Sequence, residues 1–140
     1  MREIDRAYLA GFIDADGSIG VNKLQTGSTI RVTASNTAIP VLEELKSLWG
    51  GSICISSDKR SNHKPHGNLV WTARAAKEIL LAIQPYLKIK QEQCRVALSF
   101  MNTVNPPDKQ FEPLSPAVRW ARQKMRGMLL HLNSRGVPVT

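Results

Sequence analysis

Apolar residues near the start of the chain fall at helical spacing. Leu9, Phe12 and Ile13 share one side of a stretch from about Asp5 to Asp14, with Asp5 placed to cap its start and Gly17 to close it. The period then drops from roughly 3.6 to 2 residues. In SIGVNKLQ (18–25), Ile19 and Val21 alternate with Ser18, Gly20 and Asn22. In TIRVTAS (29–35), Ile30, Val32 and Ala34 alternate with Thr29, Arg31 and Thr33. Thr26, Gly27 and Ser28 supply the turn, so the pair predicts a hairpin with one apolar and one polar face. NTAIPVLEELKSLWGG returns to helical spacing at Val41, Leu42, Leu45 and Leu48, capped by Asn36 or Thr37 and ended by Gly50 and Gly51. A second alternating pair, SICISS (52–57) and NLVWTA (68–73), brackets the basic loop DKRSNHKPHG. Further helices are predicted over about 75–83, broken at Gln84 and Pro85, over 89–104, and over 115–136 between a Ser115 cap and a Gly136 stop. NPPDKQFEP links the last two.

The order helix, hairpin, helix, hairpin, helix, helix, helix predicts an α+β fold. A four-stranded antiparallel sheet would carry helices on one face, with extra C-terminal helices. At 140 residues and 42% hydrophobic content, a single domain over 1–140 is expected. The uncovered sheet face would present Ser, Asn, Thr, Arg, Lys and Gln. Without aromatic stacking residues, such a face suits a duplex groove better than splayed single strands. An ordinary solvated face is the plainer alternative.

Charge sharpens this. Lys and Arg number 19 against 11 Asp and Glu, a formal net charge of +8 spread along the chain. A polyanionic partner follows, nucleic acid being the commonest, with an inert basic surface as the other reading. No apolar run approaches the ~20 residues that span a bilayer, and MREIDRAY holds no signal core, so a soluble intracellular protein without a membrane partner is expected. Cys54 and Cys94 lack metal-ligand spacing and read as reduced thiols. His63 and His66 have no neighbours that would complete a zinc site.

The sharpest chemical signal is LAGFIDADGS (9–18), an apolar helical turn ending in two acids. A helix C-terminus carries partial negative charge and unpaired carbonyls, so a carboxylate at Asp16 calls for a cation. A divalent ion takes oxygen ligands and would accept the Asp16 carboxylate, the Ala15 carbonyl, water and phosphate. Such an ion between carboxylate and phosphodiester makes a nuclease site. Ala10 and Gly11 lack bulk, which suits either a second copy across a two-fold axis or packing within the chain.

LAGFIDADG closely resembles the motif that names the LAGLIDADG homing endonucleases, departing from it only in Phe12 for Leu. QPYLKIKQEQ (84–93) and LNSRG (132–136) are similar to further stretches of that family, so the resemblance covers essentially the whole chain and points to the single-motif, homodimeric branch. It implies an αββαββα fold and site-specific cleavage of both strands of a long, partly palindromic duplex. Mg²⁺ is the implied cofactor, with Mn²⁺ as an alternative and Ca²⁺ expected to bind without supporting cleavage. By the same resemblance, Asp16 and the Ala15 carbonyl hold metal, Asp14 is structural, and Lys90 lies near the scissile phosphate, with Lys88 the weaker candidate. A polar residue contacting catalytic water falls on Ala34 in an ungapped reading and on Ser35 with a one-residue slip, Asn36 being a further polar group nearby. Leu9, Ala10, Gly11 and Ile13 are the expected dimer contacts.

With the sheet in a major groove, the recognition residues become Ser18, Gly20, Asn22, Gln25, Arg31, Thr33, Ser56 and Asn68, joined by Lys59, Arg60, His63 and Lys64 from the basic loop. Arg31 suits guanine and Asn22 or Gln25 adenine, while the loop cations suit phosphate. The family is usually encoded within introns or inteins, which leaves a bacterial or phage-infected cytoplasm and an organelle open as hosts. A non-catalytic DNA-binding regulator and an RNA maturase acting on intron RNA are the competing readings on the same scaffold.

Overall fold

A computed structural model describes residues 2–24, 27–56, 65–103 and 115–134. The chain runs α1 (Glu3–Asp16), β1 (Gly17–Leu24), β2 (Gly27–Asn36), α2 (Ile39–Trp49), β3 (Ser52–Ser56), β4 (His66–Thr72), α3 (Ala73–Ile83), a 3-10 turn (Gln84–Tyr86), α4 (Gln91–Met101) and α5 (Pro116–Leu132). The expected order of elements is present. The sheet has order β1-β2-β4-β3, and every neighbouring pair is antiparallel.

Pairing explains which residues go inside. Ile19 faces Val32 and Val21 faces Ile30 across the first hairpin, while Val32 meets Trp71 and Ala34 meets Leu69 across the β2–β4 seam. Ile19, Ile30, Val32, Ala34 and Leu69 are fully buried, with Trp71 almost so. Above them pack Leu9, Ala10 and Ile13 of α1, Leu42 and Leu45 of α2, and Ala76, Leu80 and Ile83 of α3. Each fully buried Leu or Ile side chain stabilises by about 1.5–3 kcal/mol, so this layer fixes how the helices sit. The Trp71 indole N–H donates to the Trp49 carbonyl at 3.2 Å, satisfying a carbonyl left open at the end of α2. α4 and α5 pack together and against β1, with the Arg122 guanidinium 5.0 Å above the buried Phe100 ring.

Several boundaries differ from expectation for local reasons. α1 begins earlier than Asp5. Arg2 is its N-cap, and Asp5 in the first turn accepts from Arg2 Nε at 3.1 Å. α2 starts at Ile39 rather than at an Asn36 or Thr37 cap; the Asn36 side chain instead accepts from the Ala38 N–H at 2.9 Å. β4 begins at His66 rather than Asn68, because buried Gly67 continues the strand with no side chain to signal it. Ser115 does cap α5, its hydroxyl accepting from the Val118 N–H at 3.2 Å. α5 stops at Leu132, and Gly136 lies outside the described residues.

Gly17 is not a left-handed stop. Its backbone is extended, with φ −117°, and it opens β1 directly. Glycine is required there for room: a Cβ would lie 2.4 Å from the Thr33 carbonyl oxygen and 2.8 Å from the Ile13 Cα. Both are backbone atoms that cannot swing aside. Gly17→Ala is therefore expected to cost about 1–3 kcal/mol and lower the melting temperature by several degrees, and an unchanged melt would contradict this packing.

The two thiols differ. Cys54 is exposed, whereas Cys94 is buried, and burial pushes its pKa up to about 11. Among the described residues no helix is long and apolar enough to cross a membrane.

Candidate active site and nucleic-acid interface

Residues two apart on a helix point about 200° away from each other, so the two acids ending α1 face opposite ways. Asp14 turns inward. Its Oδ2 accepts from the Lys88 N–H at 2.7 Å, and its Oδ1 accepts from the N–H groups of Ile89 at 3.2 Å and Lys90 at 2.9 Å. These amides lead into α4, so the carboxylate sits on the positive end of that helix. Lys90 returns a bond, its Nζ donating to the Asp14 carbonyl oxygen at 2.7 Å. That carbonyl is one of the last four of α1, which have no partner within the helix.

Asp16 turns outward and is exposed. One of its oxygens accepts from Asn36 Nδ2 at 3.1 Å. Since Asn36 Oδ1 is engaged by the Ala38 N–H, the amide can present only its donor end to Asp16. Among the described residues only Asn36 bonds the Asp16 carboxylate, and Ala15 beside it is also exposed. This set suits a hard divalent cation, which takes carboxylate and carbonyl oxygen and keeps several waters. Among the described residues no group of three His, Cys, Asp or Glu side chains could hold a metal.

The two alternatives for the polar strand-end position separate clearly. Ala34 is fully buried in the core and meets no water. Ser35 projects from the opposite face and its hydroxyl bonds Asn68 Oδ1. The residue that reaches Asp16 is the next one, Asn36.

Ser18, Gly20, Asn22, Arg31, Thr33, Ser35 and Asn68 line one open polar concavity of about 340 Å³ on the sheet face away from the helices. Within it the Ser18 and Thr33 hydroxyls bond each other at 2.6 Å. Arg31 Nε is buried without a hydrogen-bond partner among the described residues. Ser56 lies at the far end of β3, its hydroxyl 3.3 Å from His66 Nδ1 and not lining that concavity. Gln25, Lys59, Arg60, His63 and Lys64 lie outside the described residues. Sequence reasoning missed Val70 and Cys54, which share this face through pairing with Thr33 and Asn68; the alternation of β4 was the available signal. It also missed Asn133, whose side chain donates to the Ile19 carbonyl at 2.8 Å and ties the end of α5 to the outer edge of β1.

The expected dimer contacts need correction. Leu9, Ala10 and Ile13 are fully buried inside their own chain, because that side of α1 faces the sheet. Only Gly11 of the four is exposed, and a Cβ built on it would meet nothing within 4 Å. The outward stripe consists of Ile4, Tyr8, Gly11 and Ala15, with Ile4 69% and Tyr8 57% exposed. Phe12 flanks it, its ring 6.3 Å from that of Tyr8.

Comparisons with known proteins agree with this fold. Residues 3–92 match the family described as LAGLIDADG-like domain. No curated protein matches the chain. Among solved structures, the homing endonuclease I-CvuI in complex with the I-CreI target superposes with TM-score 0.72 at 19% identity, covering 99% of this chain and 87% of that one. The archaeal intron-encoded homing endonuclease I-Vdi141I complexed with DNA gives TM-score 0.71 at 17% identity, over 99% and 89% of the two chains. The meganuclease I-SmaMI bound to uncleaveable DNA gives TM-score 0.67 at 19% identity, over 94% of this chain and 45% of that longer one. With a single LAGFIDADG stretch ending α1 and the four-stranded sheet that follows it, this chain belongs to the LAGLIDADG family and carries the homing-endonuclease fold.

Proposed function

We propose that the protein is a homodimeric, divalent-metal-dependent endonuclease that cuts both strands of a long, partly palindromic DNA site. The observation that carries this reading is the exposed Asp16 carboxylate, held by Asn36 at the end of α1, in a chain whose sheet also carries an open polar concavity lined by Arg31. The structures of I-CvuI with its target in 2 mM Ca and I-Vdi141I with DNA are in keeping with it.

The ligands of the ion would be the Asp16 carboxylate and the Ala15 carbonyl. When bound, a divalent ion supplies charge neutralisation and Lewis acidity at a phosphate oxygen. The chain's own groups do the rest. Asn36 restrains the Asp16 side chain, its amide nitrogen on the carboxylate and its amide oxygen held by the Ala38 N–H. Lys90 spends one donor on the Asp14 carbonyl, which leaves the ammonium's other donors for a phosphate oxygen. The outward stripe of α1 would meet a second copy about a two-fold axis, bringing the two helix ends and their Asp16 side chains together. Each sheet would then lie along half of the target. Ser35, held by Asn68 on the polar face, fits base or sugar contact better than water activation.

In the concavity Arg31 is the strongest base reader: its flat donor fork matches guanine O6 and N7. Arg31→Ala is expected to weaken discrimination at one position per half-site by about 1–3 kcal/mol, leaving other positions nearly unchanged. A binding-site selection on randomised duplexes checks this, and uniform loss at every position would make Arg31 a phosphate contact instead.

The test of the proposal is cleavage. Purified protein is incubated with Mg²⁺ and a plasmid library carrying random duplex inserts, and the cut ends are sequenced. Recovery of one long site with internal two-fold symmetry is expected. Tight binding of one site with no cutting in Mg²⁺ or Mn²⁺ would favour a regulator on the same scaffold.

A further inference from the structure

Asp14 is the one buried carboxylate among the described residues. Burying a carboxylate is unfavourable unless it is fully hydrogen-bonded, and three consecutive amides, from Lys88 to Lys90, converge on this one. Lys90 is then held twice by the same residue, its amide on the Asp14 carboxylate and its ammonium on the Asp14 carbonyl. The two bonds close a ring between the end of α1 and the start of α4. Asp16 stands two residues further along the same final turn.

We propose that Asp14 is a positioning residue: it locks the α1 end to the α4 start, so that Lys90 and Asp16 keep one fixed separation at the phosphate. This deepens the endonuclease reading and rests on it. Without the Asp14 carboxylate the three amides lose their common acceptor, and the segment carrying Lys90 is free to move relative to Asp16. An ångström of such movement generally costs about 10²-fold in rate while leaving the remote binding surface intact.

The test uses the intact protein and the duplex recovered by its own cleavage. In the wild-type protein the amides of Lys88, Ile89 and Lys90 should exchange with solvent at least about 10²-fold more slowly than in an unstructured chain, although the side chains of Lys88 and Ile89 are exposed. Free exchange there overturns the proposal. Asp14→Asn, and Asp14→Glu as a second variant, should bind the duplex in Ca²⁺ within about threefold of wild type but cut it about 10²-fold more slowly in a single turnover with Mg²⁺. In a Lys90→Ala background the Asp14→Asn change should add less than about threefold, because the group it positions is gone. A rate near wild type, an equal loss in both backgrounds, or failure of both variants to fold would overturn the positioning role and leave Asp14 a purely structural cap. If instead Asp16→Asn cuts normally, the endonuclease reading itself fails, which separates the two results.

Discussion

Asp16→Asn is expected to cut its target at least about 10³-fold more slowly in Mg²⁺ while binding it within about threefold of wild type in Ca²⁺. Charge stabilisation by a bound metal is worth several kcal/mol, and each 1.36 kcal/mol is about tenfold in rate. Folding should be spared because the side chain is exposed and its one hydrogen-bond partner among the described residues, Asn36, can still bond an amide oxygen. Single-turnover cleavage and a binding titration on the same duplex separate the two effects. A parallel loss of binding and cutting would place Asp16 in DNA recognition, and no loss of either would remove it from the site.

Gly11→Leu should move stability and function in opposite directions. Among the described residues nothing outside its own helical turn lies within 4 Å of the added Cβ, and Leu is a better helix former than Gly by roughly 1 kcal/mol, so the monomer should melt at the same or a higher temperature. Across a two-fold axis through the α1 stripe the same side chain would meet its own copy. With each copy adding an overpacking cost of about 1–3 kcal/mol, self-association should weaken by roughly 30-fold or more and double-strand cutting should fail with it. Analytical ultracentrifugation beside a thermal melt gives both readings. A Gly11→Leu protein that remains dimeric and active would exclude this face of α1 as the interface.

The sequence made the fold legible wherever alternation was clean. The apolar residues of β1 and β2 keep one parity, so Ile19, Ile30, Val32 and Ala34 could be placed inward from period alone, although Thr33 on the other face is buried too, and the motif located the acidic helix end. Period could not orient α1. Leu9 with Ile13 and Tyr8 with Phe12 both recur at four-residue spacing, and a helix apolar on two sides does not announce which side meets the sheet. The resemblance and the small Ala10–Gly11 pair point Leu9, Ala10 and Ile13 toward a partner, and only the sheet behind them decides otherwise. Gly17 was legible as necessary but not why, because its crowding comes from Thr33 across the hairpin, a contact no local pattern encodes. The ring joining Asp14 to residues 88–90 was hidden for the same reason: it links segments more than seventy residues apart through backbone amides, which have no sequence signature.

The proposed chemistry requires two outward acids meeting at a shared axis. Crystals of the protein with its recovered duplex and Mn²⁺, measured for anomalous scattering, test it most directly. The expected map has an anomalous peak against the Asp16 carboxylate and a DNA phosphate oxygen, with both copies of Asp16 flanking the dyad where the α1 stripes cross. A dimer formed through some other surface, holding the two Asp16 side chains far apart with no peak beside either, would contradict it.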